Sequence, residues 1–525
     1  MASLDYAIIV VYLVGIIAAG LLCRGKQDSA EDYFSGGGGM GGFFGTLAVG
    51  LSIAATFFSG ISFVAIPSLV ISDGSKVLLL FLPLIPCALI VSYWFIPRYL
   101  AFGGLHPYEI IATRLGSRVR TVTSGLYIFL RLGWMATLIY APTIVLMTML
   151  DLGSEWLWPI ILIVGLTSTV YTSFSGLRGV VITDAIQMLI ILGSLLLAAM
   201  FAFSQIPFEP ANWAKQMVDQ NKLTAPSLSF NFSDRFTLWG VLLGVLASNM
   251  AIYIGDQMSL QRYLATGNVE AAKRSFLYNM VGVFAVLAML VAIGIVILLW
   301  RTYHPEIPLP ENPDQVFPAF VSLVLPTGLS GLMVAAILAA TMSSITSGIN
   351  ALAGAITIDF IQPARPDAPP AFFLRIGRWL SLGIGVIATI GAGFAAGLGT
   401  IFDVSQAILG VFLGPIFGVV VLSVWNRNYS QTRVIVSLAI SCLCGLLVAL
   451  SPMQSIWVTI SGLSACLLVA GPGKPRDQND ARKRRNSPRR KTSMDDLQDV
   501  CFPPQINQFG KTVKVDVGTN QAGFR

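Results

Sequence analysis

The chain has 525 residues, of which 55% are hydrophobic and only 11% charged, against roughly a quarter charged in an ordinary globular domain. Apolar stretches of about 20 residues, each long enough to cross a hydrocarbon core of roughly 30 Å, recur along it and exclude a soluble enzyme or binding module. Six cysteines lie mostly in apolar runs and read as packing residues, the two histidines sit in predicted loops, and no metal-site spacing or nucleophile constellation appears, so the chain is not read as an enzyme.

Windows of about 19 residues give thirteen predicted spans, at 3–23, 46–71, 77–98, 121–149, 157–174, 179–204, 237–264, 273–300, 329–358, 373–396, 402–425, 433–450 and 455–470. The first run, Tyr6 to Cys23, has neither a basic n-region nor a clear cleavage site, so it reads as a retained helix rather than a signal peptide. Lys26, Arg98, Arg114, Arg118, Arg120, Arg178, Arg262, Lys273, Arg274, Arg365, Arg375, Arg427 and Arg433 then fall on one side together with the basic tail. With an odd span count, that bias predicts an outer N-terminus and a cytoplasmic C-terminus in a plasma or inner membrane.

Taken in order, the glycine run at 36–39 follows Asp32-Tyr33-Phe34 but precedes no Lys-Ser/Thr, so it is a connection rather than a phosphate loop. Span 46–71 carries Ser52-Ile53-Ala54-Ala55-Thr56-Phe57-Phe58-Ser59-Gly60, a polar interruption in an apolar run. Span 121–149 holds Arg131, Trp134 and Tyr140-Ala141-Pro142, and span 179–204 holds Thr183-Asp184-Ala185-Ile186-Gln187. Loop 205–236 mixes Trp213, Met217 and Phe230 with polar residues and reads as interfacial; its Asn231-Phe232-Ser233 matches a glycosylation sequon, a triplet common by chance.

Span 237–264 carries a second polar, Gly-bearing interruption, Ser248-Asn249-Met250-Ala251-Ile252-Tyr253-Ile254-Gly255-Asp256, five spans after the first. Broken helices in matching positions of two halves point to an inverted-repeat transporter with its site at mid-membrane; small residues that merely let helices pack closely are the plainer reading of either one alone. Span 329–358 contributes Ala340-Thr341-Met342-Ser343-Ser344-Ile345-Thr346-Ser347-Gly348, and span 402–425 contributes Asp403 and Gln406. Small hydroxyls and a lone carboxylate at bilayer depth are costly unless they coordinate something, and hard oxygens with one negative charge suit Na+ or H+. The transporter domain is assigned to 1–472, with repeats at about 44–205 and 237–426. Residues 473–525 form a basic tail, either solvated or touching anionic lipid headgroups.

Several of these motifs together resemble the sodium:solute symporters, relatives of the sodium-coupled sugar, proline, sialic acid, iodide, monocarboxylate and vitamin transporters. The resemblance covers roughly residues 3–470. It is carried by Asp32-Tyr33-Phe34, by Gly176-Leu177-Arg178-Gly179 through Asp184 and Gln187, by Asp256-Gln257 with Gln261-Arg262-Tyr263-Leu264, and by Ala340 through Asn350 leading to Asp359. It implies an all-α, polytopic, LeuT-type fold of two inverted five-helix repeats with one extra helix before and two after. It also implies a first Na+ held by the carbonyls of Ala55, Phe58 and Ala340 and the hydroxyls of Ser343 and Ser344. Some members hold a second Na+, with the charge at the position of Asp184; Ser343, Thr346 and Ser347 share one helix face here and would complete such a site, with Asp184 in a structural role, for example bonding Arg178, as the other reading.

The substrate pocket is expected beside the breaks, at Phe57, Ser59, Ser62, Arg131, Trp134 and Gln406. The arginine that grips sialic acid in related proteins aligns with Trp134 here, which puts that substrate in doubt. Arg131 stands three residues earlier and either reaches a carboxylate or snorkels. Tyr140-Ala141-Pro142 and Ile66-Pro67-Ser68 look more like the branch carrying monocarboxylates, iodide and vitamins. The reading is Na+-driven import of a small organic anion by a unit for which a monomer suffices. A sugar or sugar acid is the second choice, and a membrane sensor is the reading from another class. The 50 or so polar residues at the C-terminus are too few for a kinase module.

Overall fold

The computed structural model describes residues 1–25, 27–102, 106–307, 309–311, 313–394, 401–425 and 427–475. The helices that build the site are, in chain order, α1 (Ser3–Leu22), α2 (Phe43–Phe57), α3 (Gly60–Asp73), α4 (Ser117–Met149), α5 (Leu157–Ser204), α6 (Gln257–Ala265), α7 (Val269–Tyr303), α8 (Leu329–Ala355), α9 (Pro370–Gly393) and α10 (Ile401–Val424). Two further apolar helices follow at Gln431–Ala449 and Ile456–Ala470. Among the described residues, nine helices are long and apolar enough to cross a membrane, or up to eleven when two bent pairs each count as one. The thirteen predicted spans are two more than that upper figure: 157–174 and 179–204 lie on the single helix α5, 455–470 falls on the shorter helix Ile456–Ala470, and 46–71 straddles the break between α2 and α3.

Helices are the expected solution, because hydrocarbon offers no partner for a free peptide group. The exceptions are therefore informative. Between α2 and α3 the chain leaves helical geometry at Phe58 (φ −92°, ψ 137°) and Ser59 (φ −116°, ψ 171°). The Ser59 N–H is taken by Ser62 Oγ at 3.4 Å. Gly60 is required here because a Cβ would collide with Thr341 Oγ1 on α8 and come within 2.6 Å of Pro142 Cγ on α4. Its absence lets three helices meet at the break.

The second interruption lies between Gly240–Gly255 and α6, which are bent by 52°. Asp256 makes the turn (φ −86°, ψ 128°) and caps α6, its Oδ1 accepting the Met258 N–H at 2.9 Å. In α5 the predicted spans 157–174 and 179–204 meet with no loop between them. The turn is made by Gly176 alone, whose φ of 62° and ψ of −175° favour a residue without a Cβ.

Helix α8 is the axis of the molecule, buried along nearly its whole length. Its N-terminus is capped from outside: Asp5 Oδ1 on α1 accepts the N–H groups of Gly328 and Gly331 at 2.7 and 2.9 Å. A carboxylate there satisfies two otherwise unpaired donors and complements the helix dipole. Residues Met1–Gly473 form one compact unit; the basic run of the tail lies outside the described residues.

Candidate functional site

The break after α2 and the middle of α8 face each other. Ser343 Oγ donates to the carbonyls of Ala55 and Ala340 at 3.0 and 3.1 Å. Ser344 Oγ reaches the carbonyls of Phe58 and Thr56 at 3.3 Å each and that of Ala340 at 3.1 Å. The five oxygens predicted for a first Na+ are thus gathered in one place. Both serines and Ala55 are fully buried, and Phe58 is 3% exposed. The carbonyls are available because helical bonding stops at Phe58, which frees acceptors that a continuous helix would use. Neutral hard oxygens can replace the hydration shell of a small cation, and the cage is divided between two helices, so tilting one against the other opens it.

One turn further along α8, Asp184 of α5 forms a second polar cluster. Its Oδ2 accepts from Ser52 Oγ at 2.7 Å, Ser347 Oγ at 3.2 Å and Arg262 Nη2 at 2.8 Å. Arg262 also donates through Nε to Ser52 Oγ at 2.7 Å, through Nη1 to the Met258 carbonyl at 2.7 Å, and through Nη2 to Thr56 Oγ1 and to Ser347 Oγ. The partner of Asp184 is therefore Arg262, not Arg178. The sequence places Arg262 among the inner loop cations, but it is 1% exposed, because the turn at Asp256 carries α6 back against α2 and α8. Asp184 Oδ1 is buried without a hydrogen-bond partner among the described residues. Thr346 is not bonded to Asp184; its hydroxyl donates to the Ser343 carbonyl at 3.1 Å.

A cavity of about 260 Å³ adjoins both clusters and is lined by Phe57, Ser59, Ser62, Arg131 and Trp134. Five of the six predicted substrate residues thus share one space; the side chain of Gln406, like that of Asp403, lies outside the described residues. Phe57 stacks on Tyr253 with ring centroids 5.5 Å apart. The Arg131 guanidinium lies 4.4 Å from the Trp134 ring centroid and pairs with Asp256 at the second break. Tyr127 closes this group, its hydroxyl donating to Asp256 Oδ1 at 3.0 Å and accepting from Arg131 Nε at 3.2 Å. Asp359, the end of the last motif, belongs to a separate cluster with Ser124 (2.5 Å) and His106 (3.3 Å).

Two ion pairs were missed from sequence. The signal was present: four lone charges in apolar segments, Arg131, Asp184, Asp256 and Arg262, each need a counterion at that depth. Their pairing was not legible, because each pair joins residues 78 or more positions apart.

A family model described as the sodium:solute symporter family matches residues 33–438. The chain is 28% identical over 456 residues to the sodium/sialic acid symporter NanT of Aliivibrio fischeri (strain ATCC 700601 / ES114), covering 83% of this chain and 86% of that protein. It is also 28% identical over 459 residues to the human (Homo sapiens) sodium/iodide cotransporter, with 85% and 69% covered. Over 406 residues it is 28% identical to the human sodium-coupled monocarboxylate transporter 2, with 76% and 64% covered. Among solved structures, a substrate-bound, outward-open Na+-coupled sialic acid symporter, reported with a novel Na+ site, superposes with a TM-score of 0.81 at 22% identity, covering 89% of this chain and 97% of that one. That likeness carries the fold, a LeuT-type bundle.

Proposed function

This chain belongs to the sodium:solute symporter family, and from that premise we propose that it imports a small organic anion with Na+ by alternating access. It is a Na+-coupled transporter and not an enzyme. The observation that carries the site assignment is the five-oxygen cage of Ala55, Phe58, Ala340, Ser343 and Ser344 across the α2 break and α8. In the proposed cycle Na+ enters this cage from outside and stiffens the contact between α2 and α8. That closes the adjoining cavity over the solute, and the cage opens inward when the two helices separate. Asp184, with its free Oδ1, and the hydroxyls of Thr346 and Ser347 are the proposed ligands of a second Na+, which requires Thr346 to turn from its bond to Ser343.

For the solute, the proposed contacts are Phe57, Ser59, Ser62, Arg131, Trp134 and Gln406. Arg131 favours an anion, since it puts a guanidinium on the wall of the cavity. A sugar acid is the second reading, supported by the relatives named for sialic acid and by the hydroxyls of Ser59 and Ser62 on the same wall. The charge bias of the loops supports an outer N-terminus and a cytoplasmic tail in a plasma or inner membrane. A single chain contains both clusters and the cavity, which supports a monomer as the working unit.

The test is Ser344→Ala. It removes one ligand oxygen and no packing volume to speak of, so the protein should reach the membrane folded and lose Na+-dependent uptake. Uptake with unaltered Na+ dependence in this variant would remove the cage assignment.

A further inference from the structure

We propose that residues 106–108, just before the helix Glu109–Leu115, form a strap that ties the second helix break to the far end of α8, and that the break moves only when this strap lets go. None of the three belongs to the sodium cage or lines the cavity, so the strap serves any solute.

A helix that stops leaves carbonyls without partners. At the first break these face Ser343 and Ser344. At the second, the Ser259 N–H that a continuous helix would give to Gly255 goes instead to the Asp256 carbonyl at 3.2 Å. The Gly255 carbonyl takes a side chain in its place: the Tyr108 hydroxyl donates to it at 2.9 Å. Tyr108 is fully buried, and its ring meets that of Tyr127 edge-on with centroids 5.8 Å apart. Tyr127 in turn donates to Asp256, so two tyrosines grip both residues of the turn.

The other end of the strap is held as firmly. His106 is buried, and its Nδ1 lies 3.3 Å from Oδ1 of Asp359, in the stretch Ile356–Ile361 that continues α8. Ser124 and Arg120 on α4 flank the same carboxylate at 2.5 and 3.9 Å. Between the two ends Pro107 fixes the backbone, and its carbonyl accepts from the Tyr99 hydroxyl at 3.3 Å. Each of the three residues thus carries a buried attachment to a different element, which a connection running over the surface does not need. While these hold, the turn at Gly255-Asp256 is fixed against α4 and α8. Alternating access requires one repeat to move against the other around the site, so release of Tyr108 from Gly255 is a step of the cycle.

The experiment reads alkylation of native cysteines by N-ethylmaleimide in the purified full chain in NaCl, resolved by peptide mass. Cys87 is fully buried on Leu84–Leu89, which packs on Leu246–Met250 of the second broken helix, so its rate follows opening of that break. Cys466, fully buried on Ile456–Ala470 beside Ser437, is the control for general loosening. Tyr108→Phe removes one hydroxyl and keeps the ring. It should raise Cys87 alkylation about tenfold, the order that one lost buried hydrogen bond supports, and leave Cys466 unchanged. His106→Gln should do the same from the other end. Because the two ends act in series, the double variant should react no faster than the quicker single one. Should either single variant not fold, Tyr99→Phe, which cuts the middle attachment, carries the same comparison.

A folded Tyr108→Phe variant with Cys87 still protected would overturn the strap. So would a parallel rise at Cys87 and Cys466, which marks a merely structural role. A rise of roughly a hundredfold in the double variant would overturn it too, since two independent contacts multiply in this way.

Discussion

At the scale of single residues, the account turns on how a protein keeps charges inside a membrane. Removing one partner of a buried ion pair costs about 3–5 kcal/mol, because the other charge is left uncompensated. Asp184 and Arg262, both fully buried, are such a pair. Arg262 bonds Ser52, Thr56, Asp184 and Ser347 at once, so a guanidinium already serves part of the cluster proposed for a second Na+. Asp184→Asn should accordingly lower the Hill coefficient for Na+ from about two towards about one, since that coefficient is bounded by the number of sites. Uptake titrated against Na+ measures it, with the double variant Asp184→Asn, Arg262→Gln as the folding control. A wild-type coefficient of about one would remove the second site. The residues themselves were legible: Ser343, Ser344, Asp184 and Arg131 stand out as polar groups in apolar runs. What joins them was not, because Arg262 looks like a loop cation until the turn at Asp256 brings it inside.

At the scale of elements, function depends on two helices that stop. Phe58 and Ser59 depart from helical dihedrals and release carbonyls toward α8, whereas Asp256 turns the chain and caps the helix that follows. Both breaks were visible in the sequence as Gly- and Ser-bearing interruptions five spans apart. Their roles were less visible, since the first gathers neutral oxygens and the second an ion pair. The sequence places a loop at the kink in α5 for the opposite reason: Arg178 suggests an exit to water, but Gly176 turns the helix within one residue.

Gly60 tests how close the first break must come to its neighbours. In Gly60→Ala the added methyl meets Thr341 Oγ1 and the ring of Pro142 at distances no real Cβ tolerates, so the start of α3 must move away from α8 and α4 and the break beside the cage is displaced. The expected outcome is loss of Na+-stimulated uptake and a lower melting temperature. The cost is of the order of an overpacked core, about 1–3 kcal/mol. Thermal melting with and without NaCl checks it: the variant should lose the Na+-dependent increment as well as baseline stability.

At the scale of the whole molecule, the number of sodium ions decides what the transporter can achieve. One charge crossing 100 mV is worth about 2.3 kcal/mol, and a tenfold concentration ratio about 1.4 kcal/mol. A single Na+ carried with a monoanion moves no net charge, so a tenfold Na+ gradient supports only roughly tenfold accumulation. Two Na+ per anion add a net charge and raise the limit to roughly 5,000-fold. A second Na+ multiplies the limit by the same factor of roughly 500 that it would for a neutral solute, and for a monoanion it is also what makes the cycle carry net charge. The thirteen apolar stretches and the family fold were legible because bilayer thickness and backbone hydrogen bonding leave a long apolar chain few alternatives. The solute was not, since its pocket is assembled from α2, α3, α4, α6 and both breaks, which only the fold brings together.

The most direct measurement is uptake by purified protein in liposomes under an inward Na+ gradient, with K+ as the control. Labelled monocarboxylates, sugars, sialic acids and amino acids would be offered in separate pools. The account predicts accumulation of the monocarboxylate pool with Na+ and none with K+. Accumulation of that pool to the same level under K+, or of sugars alone under Na+, would contradict it.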